Sequence, residues 1–221
     1  MTAPAMLQYL IRHGQSLSNL EGRVQGREDV ELSPVGREQA VRVATMLADL
    51  RLDDAMIEEV WSSPLVRARD TAAPIARRLG LDVQTLEPLC ELHAGVFQGH
   101  LWADLEARFP EEVARWRSGD VDYAIPGGES RAALAARGAE ALSTLADRPV
   151  RAMVVVAHGG VLTAALGRLV GRLHPLLAAA AERPFTKLPA LDNASVTILS
   201  WPGPELVSFN DTAHLADLTE A

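Results

Sequence analysis

Two short apolar runs in this chain end in the same way. Leu10-Ile11 leads into Arg12-His13-Gly14, and Val154-Val155-Val156-Ala157 leads into His158-Gly159-Gly160. A run rich in Val, Ile or Leu that is broken by Gly reads as a buried strand reaching its end. In open α/β sheets the crevice beyond the strand ends is where ligands sit. The two imidazoles are therefore expected at one crevice, with Arg12 beside the first. That grouping suits chemistry on an anion.

Between these runs, strand and helix patterns alternate. Met6 to Ile11 reads as the first strand. Ser33-Pro34 predicts a helix start, with Ser33 as cap and Pro34 in the first turn. Ala40, Val43, Ala44, Leu47 and Leu50 continue it as one apolar stripe at helical spacing. Met56 to Trp61 reads as a second strand. Ser63-Pro64 repeats the cap-plus-Pro signal, Leu65, Ala68, Ala72, Ile75 and Leu79 form its stripe, and Gly80 is a C-terminal stop. Ala132 to Leu145 predicts a helix, Ala152 to Ala157 a strand, and Val161 to Val170 a helix apolar nearly all round. Ser195 to Leu199 and Leu206 to Phe209 read as short late strands. Strands separated by helices argue for an α/β sandwich. Residues 172 to 192 carry the weakest pattern.

One stretch breaks this rhythm. Between Phe97 and Tyr123 lie two of the four Phe, two of the four Trp and one of the two Tyr, with Gly119-Asp120 and Ile125-Pro126-Gly127-Gly128 marking turns. It reads as an insertion folding over the strand ends. Its aromatics serve first to seat it on the body, and Phe97, Trp102 or Trp116 could in addition wall a pocket.

Composition narrows the partners. With 221 residues, 48% hydrophobic and 23% charged, the chain is long enough for one sizeable core. A net charge of -8 disfavours nucleic acid and acidic membrane surfaces. An anionic ligand needs a local positive pocket against that field. Cys90 is the only cysteine, which excludes an internal disulfide and suggests a reducing compartment. No signal-like or membrane-spanning run is visible, so a cytoplasmic location is expected. Twenty of the 21 basic residues are Arg. Lys187 is the one lysine, so a P-loop lysine is excluded and a Schiff base would rest on Lys187 alone.

Further signatures follow His13 in order. Asn19 comes six residues later, then Gly22-Arg23-Val24-Gln25-Gly26, Leu32-Ser33-Pro34-Val35-Gly36-Arg37, and Ser62-Ser63-Pro64-Leu65-Val66-Arg67. Leu89-Cys90-Glu91-Leu92-His93, Pro126-Gly127-Gly128-Glu129-Ser130, Ala157-His158-Gly159-Gly160 and Asn193-Ala194-Ser195 complete the series. Over about residues 7 to 215 the chain resembles the histidine phosphatase superfamily, the phosphoglycerate-mutase-like proteins, and within it the phosphatase branch. The resemblance implies a three-layer α/β/α sandwich around a mostly parallel sheet. It implies a single domain over residues 1–221, with a small helical lid at about 97–128. It makes His13 the phosphorylated nucleophile, with Arg12, Arg67 and His158 holding the phosphoryl group and Glu91 donating a proton to the leaving group. Ser16, Asn19, Gln25, Gly26 and Gly159 are implied substrate contacts. It implies no metal and no cofactor, a small phosphorylated metabolite as ligand, and leaves a homodimer open.

Physical chemistry supports those roles independently. Phosphoryl transfer is mostly positioning and electrostatic stabilisation of three equatorial oxygens, and arginine forks suit them. His13 must be neutral at its attacking nitrogen, and a carbonyl such as that of Gly14 could fix the tautomer through the other one. His158 is expected as an imidazolium beside the phosphate. An alkoxide leaves poorly, so general acid catalysis by Glu91 would be worth ~10²–10⁴-fold.

Blander readings exist for each residue. Arg12 could form a surface ion pair, Glu91 could be structural with Glu87 as its rival, and Asn19 could be a turn residue. Arg69 is two positions from Arg67 and is expected in solvent. His93, His100, His174 and His214 are not motif positions and are expected to be structural, with His93 the one that lies close enough to Glu91 to matter. Other functions compete as well: a cofactor-dependent phosphoglycerate mutase, a sugar-bisphosphate phosphatase, a metal site, or a non-catalytic phospholigand-binding module. Close zinc-type pairs are absent. The short span from Glu91 to His158 and the Asn210 to Leu215 ending favour the phosphatase, whereas Glu91-Leu92-His93 also resembles the mutases.

Overall fold

The computed structural model describes residues 6–52, 56–180 and 189–218. Lys187 and part of the weakly patterned stretch at 172 to 192 lie outside them. In chain order the elements are β1 (Met6–Arg12), α1 (Leu17–Glu21), α2 (Pro34–Leu52), β2 (Ile57–Ser62), α3 (Val66–Leu79), β3 (Val83–Thr85), α4 (Leu105–Arg108) and α5 (Pro110–Arg117). There follow α6 (Arg131–Ala146), β4 (Ala152–Ala157), α7 (Gly159–Leu166), α8 (Pro175–Ala178), β5 (Val196–Trp201) and β6 (Glu205–Asp211). The strands form one sheet in the order β3-β2-β4-β1-β5-β6. β1 with β4, β4 with β2 and β2 with β3 are parallel, while β5 pairs antiparallel with β1 and β6. The sheet is thus mixed, with parallel pairing across its centre.

Alternation along the central strands makes the layers. Tyr9, Ile11, Val60, Val154 and Val156 face α2 and α3 in one buried cluster. Leu10, Met153, Val155 and Ala157 face α6 and α7 in another. Every residue of β4 is buried, as expected for a strand covered on both faces. A third cluster of Val24, Ala94, Phe97, Leu105, Val113, Trp116, Tyr123 and Ile125 seats the aromatic stretch on the body. That stretch holds α4 and α5; the family resemblance implied helix here, while the residue pattern gave no helix bounds.

Local signals located most helix ends. Ser33 Oγ accepts from Gly36 N at 3.0 Å at the start of α2, and Gly80 ends α3 at φ 69°. The start of α3 differs from expectation: it begins at Val66 instead of Pro64. Ser63 is still tied to the sheet, its N–H donating to Val156 O at 2.9 Å. Asp29 then supplies the missing cap from 37 positions away, accepting from Val66 N at 2.6 Å. The apolar run Val161 to Val170 also divides, into α7 and a wider turn at Gly167–Gly171.

The loop after β1 is packed against the start of α2. A Cβ on Gly36 would lie 1.9 Å from Gln15 O, a separation no backbone shift of a few tenths of an ångström relieves. Gly36→Ala is expected to destabilise the protein by about 2–3 kcal/mol through overpacking. Denaturant unfolding should show a lower midpoint, and an unchanged midpoint would contradict this packing.

Candidate active site

The site is assembled by strand register. Arg12 of β1 pairs with Ala157 of β4, so His13 and His158 leave the sheet side by side. Their ring centroids are 5.1 Å apart. Ser62 of β2 pairs with Val156, which brings Ser63 to the same edge. His13 is 3% exposed and His158 fully buried.

Hydrogen bonds assign the nitrogens of His13. Nδ1 lies 2.7 Å from Gly14 O, so it carries the proton and donates. Nε2 keeps a lone pair and accepts from Arg67 Nε at 3.3 Å. Arg67 is fully buried, and its other nitrogens donate to Gly26 O at 2.8 Å and Glu28 O at 2.7 Å. Among the described residues no carboxylate ion-pairs with it. Burial pulls its pKa below the ordinary arginine value, with Glu91 and Asp29 opposing. A buried cation held by carbonyl dipoles leaves positive charge for an anion to neutralise. Arg12 is 7% exposed and donates through Nη1 to Leu191 O.

His158 differs from expectation. Burial first, then Arg67, His13, Arg12 and Arg137, hold its pKa well below the ordinary histidine value. The ring is therefore neutral in the protein itself, and an imidazolium requires the charge of an arriving dianion. Nε2 lies 2.8 Å from Ser63 Oγ, and Nδ1 is buried without a partner. Ser63 in turn faces Cys90 Sγ at 3.8 Å, and Cys90 is buried as expected of a small apolar residue.

Glu91 is placed by groups far from it in sequence. Its carboxylate accepts from Gly160 N at 2.9 Å, Val161 N at 3.1 Å and Leu92 N at 2.8 Å. It thereby caps α7, whose own cap residue, His158, makes no side-chain capping bond. A Cβ on Gly160 would lie 2.4 Å from Glu91 Oε1, so glycine is needed for this approach. Arg137 of α6 holds the Glu91 backbone, donating to Pro88 O at 2.7 Å, Cys90 O at 2.6 Å and Glu91 O at 2.9 Å. Arg137 also forks onto Glu129 at 2.6 and 3.0 Å. Burial would raise the Glu129 pKa, but Arg137 and His93 N–H hold it below its ordinary value.

One cavity of about 110 Å³ joins most of the expected residues: Arg12, His13, Asn19, Gln25, Gly26, Arg67, Glu91 and Gly159 line it. His158 lies behind its wall. Ser16 is fully buried and does not line it. Ser16 instead caps α1, accepting from Asn19 N at 3.1 Å, and donates to Gln25 Oε1 at 2.7 Å. Asn19 Oδ1 accepts from Ser16 N at 3.2 Å and Asn193 Nδ2 at 3.1 Å, which leaves its amide N–H groups for a ligand. Trp102 and Trp116 line the cavity, whereas Phe97 is core.

The competing residues stand elsewhere. Glu87 faces Arg27 at 3.7 Å with a side chain 70% exposed, and Arg69 is exposed. His93 accepts from Gly95 N, His100 packs edge-on against Phe109, His174 accepts from Leu176 N, and His214 donates to Ala194 O. Among the described residues no group of three or more His, Cys, Asp or Glu could hold a metal ion. None of the described helices is long and apolar enough to cross a membrane. Ser63, Arg131 and Arg137 are the site residues that sequence reasoning missed. Ser63 stood in the sequence as a helix cap and within the Ser62 to Arg67 signature, Arg137 only as a member of the helix expected over Ala132 to Leu145, and Arg131 just outside it.

Two histidines, one buried and neutral and one fixed in its tautomer, meet two arginines and a carboxylate at one edge of the sheet, an arrangement suited to an anion. The model of the histidine phosphatase superfamily, branch 1, matches residues 8–212, and the chain belongs to that family. It is 38% identical over 214 residues to a glucosyl-3-phosphoglycerate phosphatase of Mycobacterium tuberculosis, covering 90% of this chain and 88% of that one. It is 34% identical over 214 residues to a metal-independent phosphoserine phosphatase of Arabidopsis thaliana, covering 95% and 83%. The crystal structure of a phosphoserine phosphatase from Entamoeba histolytica in complex with 3-phosphoglyceric acid superposes with TM-score 0.76 at 27% identity. That match covers 95% of this chain and 99% of the other. The chain is accordingly an enzyme of the phosphatase kind.

The depressed pKa of His158 has a stability consequence. The unfolded chain takes up a proton near the ordinary histidine value of about 6.5 that the folded chain refuses. This contribution is complete above that pH and is lost as pH falls below it. Denaturant unfolding at pH 7.5 and 5.0 should show a larger loss for the parent than for His158→Gln. Parallel losses would contradict a buried neutral His158.

Proposed function

We propose that this protein hydrolyses small phosphomonoesters through a phosphoryl group carried on His13 Nε2. The observation that carries the reading is the Nδ1–H bond to Gly14 O at 2.7 Å, which leaves Nε2 as the nucleophile. Nε2 attacks phosphorus in line, and the ester P–O bond breaks. Arg12 and Arg67 neutralise the equatorial oxygens, with Asn19 and the Gly159 backbone as further contacts. His158 takes up positive charge only with the dianion present, which favours phosphoryl binding over binding of neutral ligands. Glu91 enters the step protonated and gives that proton to the departing alkoxide. It then takes one from water, which attacks the phosphohistidine and releases inorganic phosphate.

Residues 1–221 act as one domain in this reading, with about 97–128 as its lid. The shortness of the segment from Glu91 to His158 supports hydrolysis over transfer to a second hydroxyl, because it leaves water a path to the phosphohistidine. The named activities of the mycobacterial and plant relatives, and the phosphoglycerate bound to the Entamoeba protein, are consistent with a small phosphorylated metabolite.

Brief reaction with labelled substrate, quenched in alkali, is expected to leave phosphate on His13. Label on His158 or on a serine would overturn the assignment. Glu91→Gln should slow alkyl phosphates by ~10²–10⁴-fold. It should slow p-nitrophenyl phosphate far less, because that leaving group barely needs a proton. Equal losses on both substrates would remove Glu91 as general acid. Phosphate release should also exceed interconversion of 3- and 2-phosphoglycerate, and the reverse ranking would make the protein a mutase.

A further inference from the structure

The cavity that holds His13 has a second cationic wall that the phosphoryl chemistry leaves unused. Arg131 opens α6, is only 4% exposed, and lines the cavity with Trp116, Leu134 and Thr163. Its guanidinium sits over the Trp116 ring, 3.8 Å from the centroid. Its Nε and Nη2 are buried and lack any hydrogen-bond partner. None of the ion pairs among the described residues includes it.

Local physics opposes a cation at this position. Residue 131 is in the first turn of its helix, where the backbone already carries partial positive charge. Burial, and then the like-charged Arg172, pull its pKa down to about 10. The face of Trp116 offsets part of this cost. Six residues along the same helix, Arg137 has every guanidinium nitrogen bonded. Buried charges are ordinarily paired in that way. An unpaired one facing a ligand cavity has the electrostatics of a site whose partner arrives with the ligand.

The two orphaned nitrogens also specify the shape of that partner. Nε and Nη2 form one edge of the guanidinium, whose two N–H bonds run parallel. A planar carboxylate takes that edge with both oxygens. A phosphoryl group is better served at the other wall, where Arg12, Arg67 and His13 converge.

We propose that Arg131 is a specificity-determining residue whose Nε/Nη2 edge binds a carboxylate carried by the phosphomonoester substrate. The preferred substrates are then phosphorylated carboxylic acids, anchored at one end by the phosphoryl pocket and at the other by Arg131 over Trp116. The phosphoryl half of this statement rests on the hydrolase reading above.

The test separates binding from turnover. His13→Ala, which lacks the nucleophile, is titrated calorimetrically with 3-phosphoglycerate and with glycerol 3-phosphate, in which a hydroxymethyl group replaces the carboxylate. At least tenfold tighter binding of the acid is expected. Adding Arg131→Met should bring the ratio to within about twofold of unity. Equal affinities in His13→Ala, or a preference that survives Arg131→Met, would overturn the proposal. Tighter binding of propane-1,3-diol bisphosphate than of the acid would overturn the carboxylate assignment.

Because Arg131 is unpaired, Arg131→Met should melt no lower than its parent, and a fall of several degrees would make it a structural residue instead. Arg131→Lys, which keeps the charge without the planar edge, should also lose most of the preference; full retention would overturn the fork. Wild-type protein is assayed on the same esters. If it hydrolyses neither ester while His13→Ala still prefers the acid, the subsite stands and the hydrolase reading fails.

Discussion

The structure depends on the parallel register of three central strands. Ile11 opposite Val156 and Ser62 opposite Val156 bring three strand ends to one line. Beyond that line the chain supplies His13, Ser63 and His158. A slip of one residue would turn each side chain to the other face of the sheet. The register is secured because β4 is buried on both faces, so Met153 and Val155 must meet α6 and α7 while Val154 and Val156 meet α2 and α3. Hydrophobic burial in the core thus sets the spacing of the imidazoles at its edge.

A second constraint is the concentration of cationic groups where water is excluded. Arg67 is wholly buried on carbonyl oxygens, Arg12 nearly so, and Arg131 lies on an aromatic face. For Arg67 and Arg131 these arrangements supply dipoles or a π-face in place of a carboxylate, so their charge remains available to a ligand. The chain as a whole carries a net charge of -8, so attraction of an anion must be local. The same burial holds the pKa of His158 well below the ordinary histidine value.

The helices at the site share a device that their own sequences do not reveal. α3 is capped by Asp29 and α7 by Glu91, each from a distant loop. His158 occupies the cap position of α7 without making a side-chain capping bond. At α3 Ser63 is tied by its N–H to Val156 O of the sheet and by its hydroxyl to His158, and the helix starts after Pro64 and not with it. Glu91 is thereby fixed against the backbone of Gly160, and the fork of Arg137 on Glu129 holds the loop behind it.

What the sequence determined by itself was local and chemical. The strands β1, β2, β4, β5 and β6, the helices α2, α3 and α6 and the stop at Gly80 follow from periodicity, caps and glycine within a few residues of each other. His13, Arg12, Arg67, Glu91 and His158 were legible because reactive residue types stood at strand ends or in ordered signatures. The same signatures put Ser16 at the ligand, whereas in the structure it caps α1 behind the cavity wall. Tertiary structure alone decided the short β3, the bounds of α4 and α5, the neutral state of His158 and the tie of Arg137 to the Glu91 loop. It alone left Arg131 buried without a partner. Those outcomes depend on which groups distant in sequence are pressed together, and on whether water reaches them. Strand pairing and core packing set both, and no short window of sequence contains either.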